Sequence, residues 1–409
     1  MSISDKILSD PVNKWVFANS KNSTYLVGGY VRDLLRNRQS RDKDFVIKQN
    51  AGEIARKTAR KFNGTFIELK KNHTFRVAMD RKRFIDFTFL TDGIKDNLKE
   101  RDFTVNAIAW SPRSGIIAPS DYMDDIRNKV IRVVRNENLM DDPLRVLRAY
   151  RLSAQLDFEI GRNTRKQLKK YASRVTKVSA ERITEELFKI LNFNNSSEYL
   201  KLCLNDNVLS RIIPITTDNI AINLVQIGKL DKFIHKINKL PSQRHLKKSM
   251  SYVISQNLTR TGLIRLFLLT RINGNKFDSE KTNLRLLKMS TKNRKSLFNL
   301  MVANQLPLKR ITDKGLFQLF LRSGSQVLES AVIRTLAKSK IHYRFINRAK
   351  EFIQYKREPI LDGHDIKGIL NIKSGEKIGQ TKRRILEQQF LGNVNNRKEA
   401  VSWIISNLT

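Results

Sequence analysis

The sequence predicts an α/β head over residues 1–135 followed by an all-helical remainder, and three observations carry that division. β-type runs (Thr24–Val27, Lys43–Ile47, Phe75–Met79, Phe84–Leu90) are confined to the head, where glycine pairs and helical stretches punctuate them. From about Glu137 onward apolar residues recur at three- and four-residue spacing, as in Val146, Leu147 and Tyr150, then Ile183, Leu187, Ile190 and Leu191. Pro143, Pro214, Pro241, Pro307 and Pro359 are spread among these helices as breakers. A chain of 409 residues also exceeds one core, at about 100–200 residues per domain. The loop-like stretches Pro241–Ser249 and Tyr355–Glu358 suggest further boundaries, giving segments 1–135, 136–195, 196–354 and 355–409.

Composition narrows the function. The balance of 78 Lys and Arg against 39 Asp and Glu gives a formal charge of +39, spread through every segment. Cations in that excess repel one another, and a polyanion whose phosphates they neutralise relieves the repulsion and releases counterions. Nucleic acid is therefore the expected partner, against the plainer reading of a basic surface with no dedicated ligand. No apolar run approaches the ~20 residues that span a bilayer, and Met1 to Ser20 lacks a continuous apolar core like that of a secretory signal. The expected location is the cytoplasm. The single Cys203 excludes an internal disulfide framework, and the five histidines show no zinc-ligand spacing.

The first chemical signal is Tyr25-Leu-Val-Gly-Gly-Tyr-Val-Arg-Asp, a short strand, a Gly28-Gly29 turn and a helix start. Paired glycines allow backbone N–H groups to approach a phosphate at a helix N-terminus, although such a turn also occurs with no ligand. Next, Arg41-Asp-Lys-Asp-Phe-Val-Ile enters a strand in which alternation puts Asp42 and Asp44 on one face. Two such carboxylates repel unless a cation lies between them, and oxygen ligands favour Mg²⁺. Asp86 is a lone acid inside a β-prone run, either a third ligand or an edge-strand residue facing water. Glycines for a triphosphate with these three acids describe a two-metal nucleotidyl-transfer site.

With these residues in view, the chain resembles the bacterial-type tRNA nucleotidyltransferases and poly(A) polymerases, of the polymerase-β-like nucleotidyltransferase superfamily. Leu26 to Asp33 followed by Asp42-Lys-Asp44 resembles the family's first motif, which binds triphosphate and metals. Arg101-Asp-Phe-Thr-Val-Asn-Ala-Ile-Ala109 resembles the second, implicated in ribose recognition. Asp141-Asp-Pro-Leu-Arg-Val-Leu-Arg-Ala-Tyr-Arg151 is similar to the nucleotide-selecting helix, and Ser179 to Leu187 to the helix that braces it. Pro359 to Ile366, Gly375 to Gly379 and Asn396 to Ala400 resemble the tail.

The resemblance implies a head, helical neck, body and tRNA-binding tail that transfer C or A residues from CTP and ATP to the 3′ end of tRNA with release of pyrophosphate. It assigns Asp42, Asp44 and Asp86 to catalysis and Mg²⁺, Gly28, Gly29 and Arg32 to the triphosphate, Arg101, Asp102 and Asn106 to the ribose side, and Asp142, Arg145 and Arg148 to nucleotide selection. Asp142 before Pro143 is also a good helix cap needing no ligand. No membrane and no stable protein partner is implied. The alternatives are a poly(A) polymerase acting on RNA 3′ ends, or a catalytically silent RNA-binding protein on the same fold. Two departures bear on product length. The connection from Leu90 to Arg101 is short, as in CC-adding members, and Ala118 and Tyr122 stand where the family usually has Asp and Gly near a hinge. The expectation is CC addition.

Overall fold

The computed structural model describes residues 2–20, 23–40, 42–80, 83–272, 287–305, 312–337, 343–372 and 375–408; Arg41 and Pro307 lie outside them. The chain forms two compact units, one of residues 1–179 with 202–212, the other of residues 180–201 with 213–409. Among the described residues no helix is long and apolar enough to cross a membrane.

The first unit is built on seven strands, β1 (Thr24–Val27), β2 (Lys43–Ile47), β3 (Thr65–Lys70), β4 (Thr74–Ala78), β5 (Phe84–Phe89), β6 (Ala109–Ser111) and β7 (Gly115–Ile117). Their spatial order is β3-β4-β5-β2-β1-β6-β7, with β2 and β5 parallel and every other neighbouring pair antiparallel. Its helices include α1 (Ile3–Leu8), α2 (Pro11–Asn19), α3 (Gly29–Leu35), α4 (Ala51–Lys61), α5 (Ile94–Lys99), α6 (Ser120–Arg127), α7 (Glu137–Asp141), α8 (Leu144–Leu156) and α9 (Arg162–Tyr171).

Strand alternation divides the sheet into two faces. On one, Phe45 and Phe87 stack at 5.4 Å and Phe17 of α2 meets both Phe45 and Trp110 edge-on. Helix α4 covers this face because Ala51, Ile54, Ala55, Thr58 and Ala59 recur on one stripe and are buried. On the other, Val27, Val46 and Ala109 join Leu90, Leu98 and Ala107 in a second core, with Tyr25, Ile117 and Tyr122 packed against it. That core fills part of the second face, and the acids occupy another part. The edge strand β3 escapes a sequence search because most of its residues are exposed on both sides, so no apolar alternation marks it.

Among the described residues the regular structure of the second unit is helical apart from the short pair Val253–Ser255 and Leu258–Thr259. Its long helix Thr217–Lys239 packs on Arg260–Thr270. Pro241–Ser249 is helical rather than loop-like. A 3₁₀ turn at Pro241–Gln243 leads into a helix at Arg244–Met250, whose Leu246 and Met250 are four apart and both buried. Tyr355–Glu358 is likewise no linker, since the helix Arg344–Arg357 runs into it and anchors through Phe345, Ile346, Ala349 and Phe352. The last helices, Gly363–Leu370, Glu376–Leu391 and Arg397–Leu408, enclose a small core of Leu361, Ile366, Ile385, Val394, Ala400 and Ile404.

Candidate active site

Register across the sheet sets one row of side chains: Arg76 of β4 opposite Asp86 of β5, Asp86 opposite Asp44 of β2, and Asp44 opposite Val27 of β1. Directly opposed residues share a face, so two carboxylates meet between a guanidinium and the end of β1. β5 lies between β4 and β2, so Asp86 is not on an edge. Both Asp86 oxygens accept from Arg76, Nε to Oδ1 and Nη2 to Oδ2 each at 2.7 Å. Asp42 is exposed just before β2, and Lys43 between the two acids points to the other face, where its Nζ is 3.1 Å from Asp10.

Gly28 links the end of β1 to α3, with φ +77° and ψ −136°. A Cβ there would stand 2.9 Å from Arg101 Nη1 and 3.6 Å from Asp44 Oδ2. The sequence reading offers the Gly28 N–H to a phosphate, but that N–H donates to the carbonyl of Ile108 at 2.9 Å. What glycine supplies here is room for Arg101 beside Asp44. Gly29 opens the helix, and a Cβ on it would lie 3.3 Å from Arg32 Nη2. Arg32, expected against a triphosphate, is 3% exposed beneath this turn. Its guanidinium is engaged by Asp33 and by Asn106 Oδ1, so it supports Asn106 rather than offering an open cation.

Arg101 also lines a cleft of about 280 Å³ with Asn97, Glu100, Asp102, Arg145 and Arg148. The cleft holds polar atoms that lack hydrogen bonds: Asn97 Oδ1, Arg101 Nε and Arg148 Nε are all buried without one. Buried polar groups are ordinarily satisfied, so their concentration here marks a place that a polar ligand would complete. Asp102 is held at its side by the Phe103 N–H at 2.8 Å, the Asn106 amide at 3.1 Å and Arg148 at 3.0 Å. A chain of contacts therefore runs from Asp33 through Arg32, Asn106 and Asp102 to Arg148.

Asp142 ends α7, and its Oδ1 accepts from the Leu144 N–H at 3.2 Å, which realises the capping reading. Arg145 donates to the Asn138 carbonyl at 3.2 Å and projects to the cleft. Fully buried Asn138 donates to the carbonyls of Lys99 and Arg101 at 2.8 and 2.7 Å, tying that loop to α7. Ala118 precedes Pro119 and α6, and Tyr122, in the first turn of α6, packs half-buried against the second core.

Electrostatics follow from this packing. Burial pushes the Asp44 carboxyl up, Arg101 opposes that, and Asp86 and Asp42 push it further. Burial also works against Asp102, but Arg148 with the Asn106 and Phe103 donors outweighs it and holds the carboxyl below the usual range. Arg101 is lowered by burial and by Arg148, against Asp44 and Asp102. Asp42, Asp44 and Asp86 thus offer hard oxygen donors in electrostatic reach of one another, a set that fits a divalent cation because the cation would relieve their repulsion. Among the described residues no cluster of three His, Cys, Asp or Glu side chains is already gathered around one point.

The structure therefore brings Asp44, Asp86, Gly28 and Arg101 together, and Arg101, Asp102, Arg145 and Arg148 around the cleft. Sequence reasoning missed Arg76, Asn97, Glu100 and Asn138. Only Arg76 left a signal, as a lone cation in one β-prone run near the lone acid of the next.

A family profile described as the poly A polymerase head domain matches residues 24–132, and one described as the probable RNA and SrmB-binding site of polymerase A matches residues 157–220. A CC-adding tRNA nucleotidyltransferase of Synechocystis is 28% identical over 92% of each chain. A CCA-adding enzyme of Ligilactobacillus salivarius is 25% identical over 92% of this chain and 90% of its own. In structure, the Thermotoga maritima CCA-adding enzyme complexed with tRNA matches with a TM-score of 0.72 at 21% identity, over 100% of this chain and 99% of its own.

Proposed function

We propose that the chain is a member of the family of bacterial-type tRNA nucleotidyltransferases and poly(A) polymerases, as the head-domain and RNA-binding profiles over residues 24–132 and 157–220 support, and that it adds C and/or A residues from CTP and/or ATP to the 3′ hydroxyl of tRNA, releasing pyrophosphate. The observation that carries the reading is Arg101, which lies beside Asp44 at one end of the carboxylate row and also lines the cleft.

Enzymes of this family generally use a divalent cation. We assign Mg²⁺, with Asp42, Asp44 and Asp86 as its ligands. When bound it supplies positive charge for the triphosphate and for the attacking oxygen. The remaining work falls to the chain's own groups. Gly28 keeps the end of β1 clear, so that Arg101 can stand against the phosphates beside Asp44, and Gly29 opens α3 over the tip of Arg32. Arg32 fixes Asn106 from below, and Asn106 with Asp102 orients the ribose side. Arg148 is aligned on Asp102 and closes the cleft near Arg145. Asp142 and Arg145 read the base edge: cytosine and adenine both present an exocyclic amine donor beside a ring-nitrogen acceptor, which a carboxylate and a guanidinium complement.

For RNA, the exposed cations Arg244, Lys247, Lys248, Lys382, Arg383 and Arg384 of the second unit suit phosphate contacts. Arg348 does not belong with them, since its guanidinium sits 3.8 Å over Phe390 and pairs with Glu351 and Asp313. We further propose a head to residue 135, a neck to 195, a body to 354, with the helix Arg344–Arg357 carrying on into the start of the tail, and a cytoplasmic location. CC addition is favoured by the short Leu90–Arg101 connection and by Tyr122, packed into a core where the family carries glycine.

The test is tRNA ending at its discriminator base, given CTP and ATP separately and together with Mg²⁺. CTP alone should add two residues and ATP should add nothing further. Addition of A to tRNA ending in CC would replace CC addition by CCA addition. Tailing of RNA 3′ ends in general would favour the poly(A) polymerase reading, and no incorporation would sink the enzymatic one.

A further inference from the structure

The carboxylate row contains one strong interaction that nucleotidyl transfer does not call for. Arg76 grips Asp86 with a two-pronged contact, 2.7 Å on each oxygen, and its guanidinium lies 4.9 Å over the Phe84 ring. Phe84 shares a strand face with Asp86, so both the charge and the orientation of Arg76 are set from β5. Arg76 is 34% and Asp86 23% exposed at the side chain, so the pair borders water and can rearrange without opening a core. On its far side Asp86 faces Asp44 in register, with Arg101 beyond. Two like charges directly opposed destabilise a sheet, and here each is matched by a guanidinium on its outer flank. The Asp86 hydrogen bonds keep Arg76 firmly charged against its partial burial, and Asp44 and Asp42 add to that.

We propose that Arg76 is the resident counter-cation of this row, a positioning residue that holds both Asp86 oxygens in the metal-free protein and yields one of them when a divalent cation binds. The inference rests on the assignment of Asp86 as a metal ligand. Its consequence is that the cation competes with a charge the fold already supplies. The metal-free site stays folded, and metal affinity is held down.

The experiment uses the full chain without nucleotide and reads Mn²⁺ binding by loss of the free-ion paramagnetic resonance signal, with thermal melting in chelator and in Mn²⁺. Arg76→Gln removes the charge and leaves a shorter, still polar side chain. It should bind Mn²⁺ about tenfold more tightly, since a unit charge next to the site no longer opposes the ion. It should also melt earlier than wild type in chelator and gain more from Mn²⁺. Arg76→Lys, which retains the charge without the fork, should return the Mn²⁺ affinity towards that of wild type. Arg76→Gln that melts early but binds Mn²⁺ no more tightly than wild type would reduce Arg76 to a structural contact and overturn the inference. Asp44→Asn separates this from the underlying assignment. If Asp44→Asn binds Mn²⁺ like wild type, or wild type binds none, the metal site itself is wrong.

Discussion

Replacing Gly28 by alanine tests the geometry on which the site turns. Two costs are legible in the structure. The backbone at φ +77°, ψ −136° is a conformation that only glycine adopts freely, and an L side chain there costs about 1–3 kcal/mol. The added Cβ would also fall 2.9 Å from Arg101 Nη1, too close for contact, so the guanidinium must move off Asp44. The second cost is small in stability, because a flexible tip yields, but it displaces a cation shared by the carboxylate row and the cleft. At about 2–4 °C per kcal/mol for a unit of this size, the melting temperature should drop by about 2–12 °C. A displacement of about 1 Å at a positioning group costs on the order of 100-fold in rate, so kcat/KM for CTP should fall by about that much. The control is Gly29→Ala, next in sequence but helical, where the new Cβ would meet only the end of Arg32 at 3.3 Å. There helix propensity gains about 0.5–1 kcal/mol, which offsets the crowding and leaves melting within about 1 kcal/mol of wild type. Melting curves and CTP incorporation on both variants decide the matter. Equal melting and equal kcat/KM for Gly28→Ala and Gly29→Ala would refute the reasoning.

Asp42→Ala or Asp44→Ala should abolish transfer while tRNA affinity measured by filter binding stays close to wild type, and Asp86→Asn should lose most activity; turnover retained at matched Mg²⁺ would remove the metal assignment. Asp142→Ala loses the cap on Leu144 and should cost about 0.5–2 kcal/mol in stability. It should also relax discrimination between CTP and UTP in single-nucleotide incorporation, and a variant that melts early yet still rejects UTP leaves Asp142 only a cap. tRNA affinity should fall steeply between low and physiological salt, and removing residues after 355 should weaken tRNA binding more than CTP binding; a flat salt response contradicts phosphate tracking. Asp102 is held below its unfolded value of about 3.9, so its contribution to stability is present above that pH and is lost as the pH falls through the folded value. Acid titration of stability should therefore be shallower in Asp102→Asn than in wild type, and identical acid limbs would mean that Arg148 does not hold the carboxylate.

What the sequence discloses about the site is what depends on local period. Asp42 and Asp44 are two apart in a β-prone run, which suffices to put them on one side with Lys43 on the other, and the structure sends Lys43 to Asp10 on the opposite face. Asp86 stands out because an acid is out of place between Ile85 and Phe87. The helical spacing at Val146 to Leu152 survives as α8 for the same reason, that a period of 3.6 is written in consecutive residues. Where the reading fails, the deciding partner is distant in sequence. Pro241 suggests a loop, yet buried Leu246 and Met250 make the segment a helix, since packing of the apolar pair overrides the breaker. Gly28 suggests a phosphate cradle, but its space is claimed by Arg101 and its N–H by Ile108, and neither can be inferred from a Gly-Gly pair.

The same reasoning explains why the acids could be found without their cations. A carboxylate in a strand is conspicuous by itself, whereas Arg76 matters only once β4 and β5 are known to be antiparallel and in the register that sets Arg76 against Asp86. A slip of one residue would put Phe75 or Val77 there instead and turn Arg76 to the other face. Arg101 comes from the segment after α5, and Asn138 fixes its height through two carbonyls, an arrangement made entirely by tertiary packing. The acids can therefore lie opposed on neighbouring parallel strands only because the register of the outer strand and a loop pinned by one buried amide deliver a guanidinium to each flank. The electrostatic feasibility of the site is a property of the whole sheet, although its ligands belong to two short motifs.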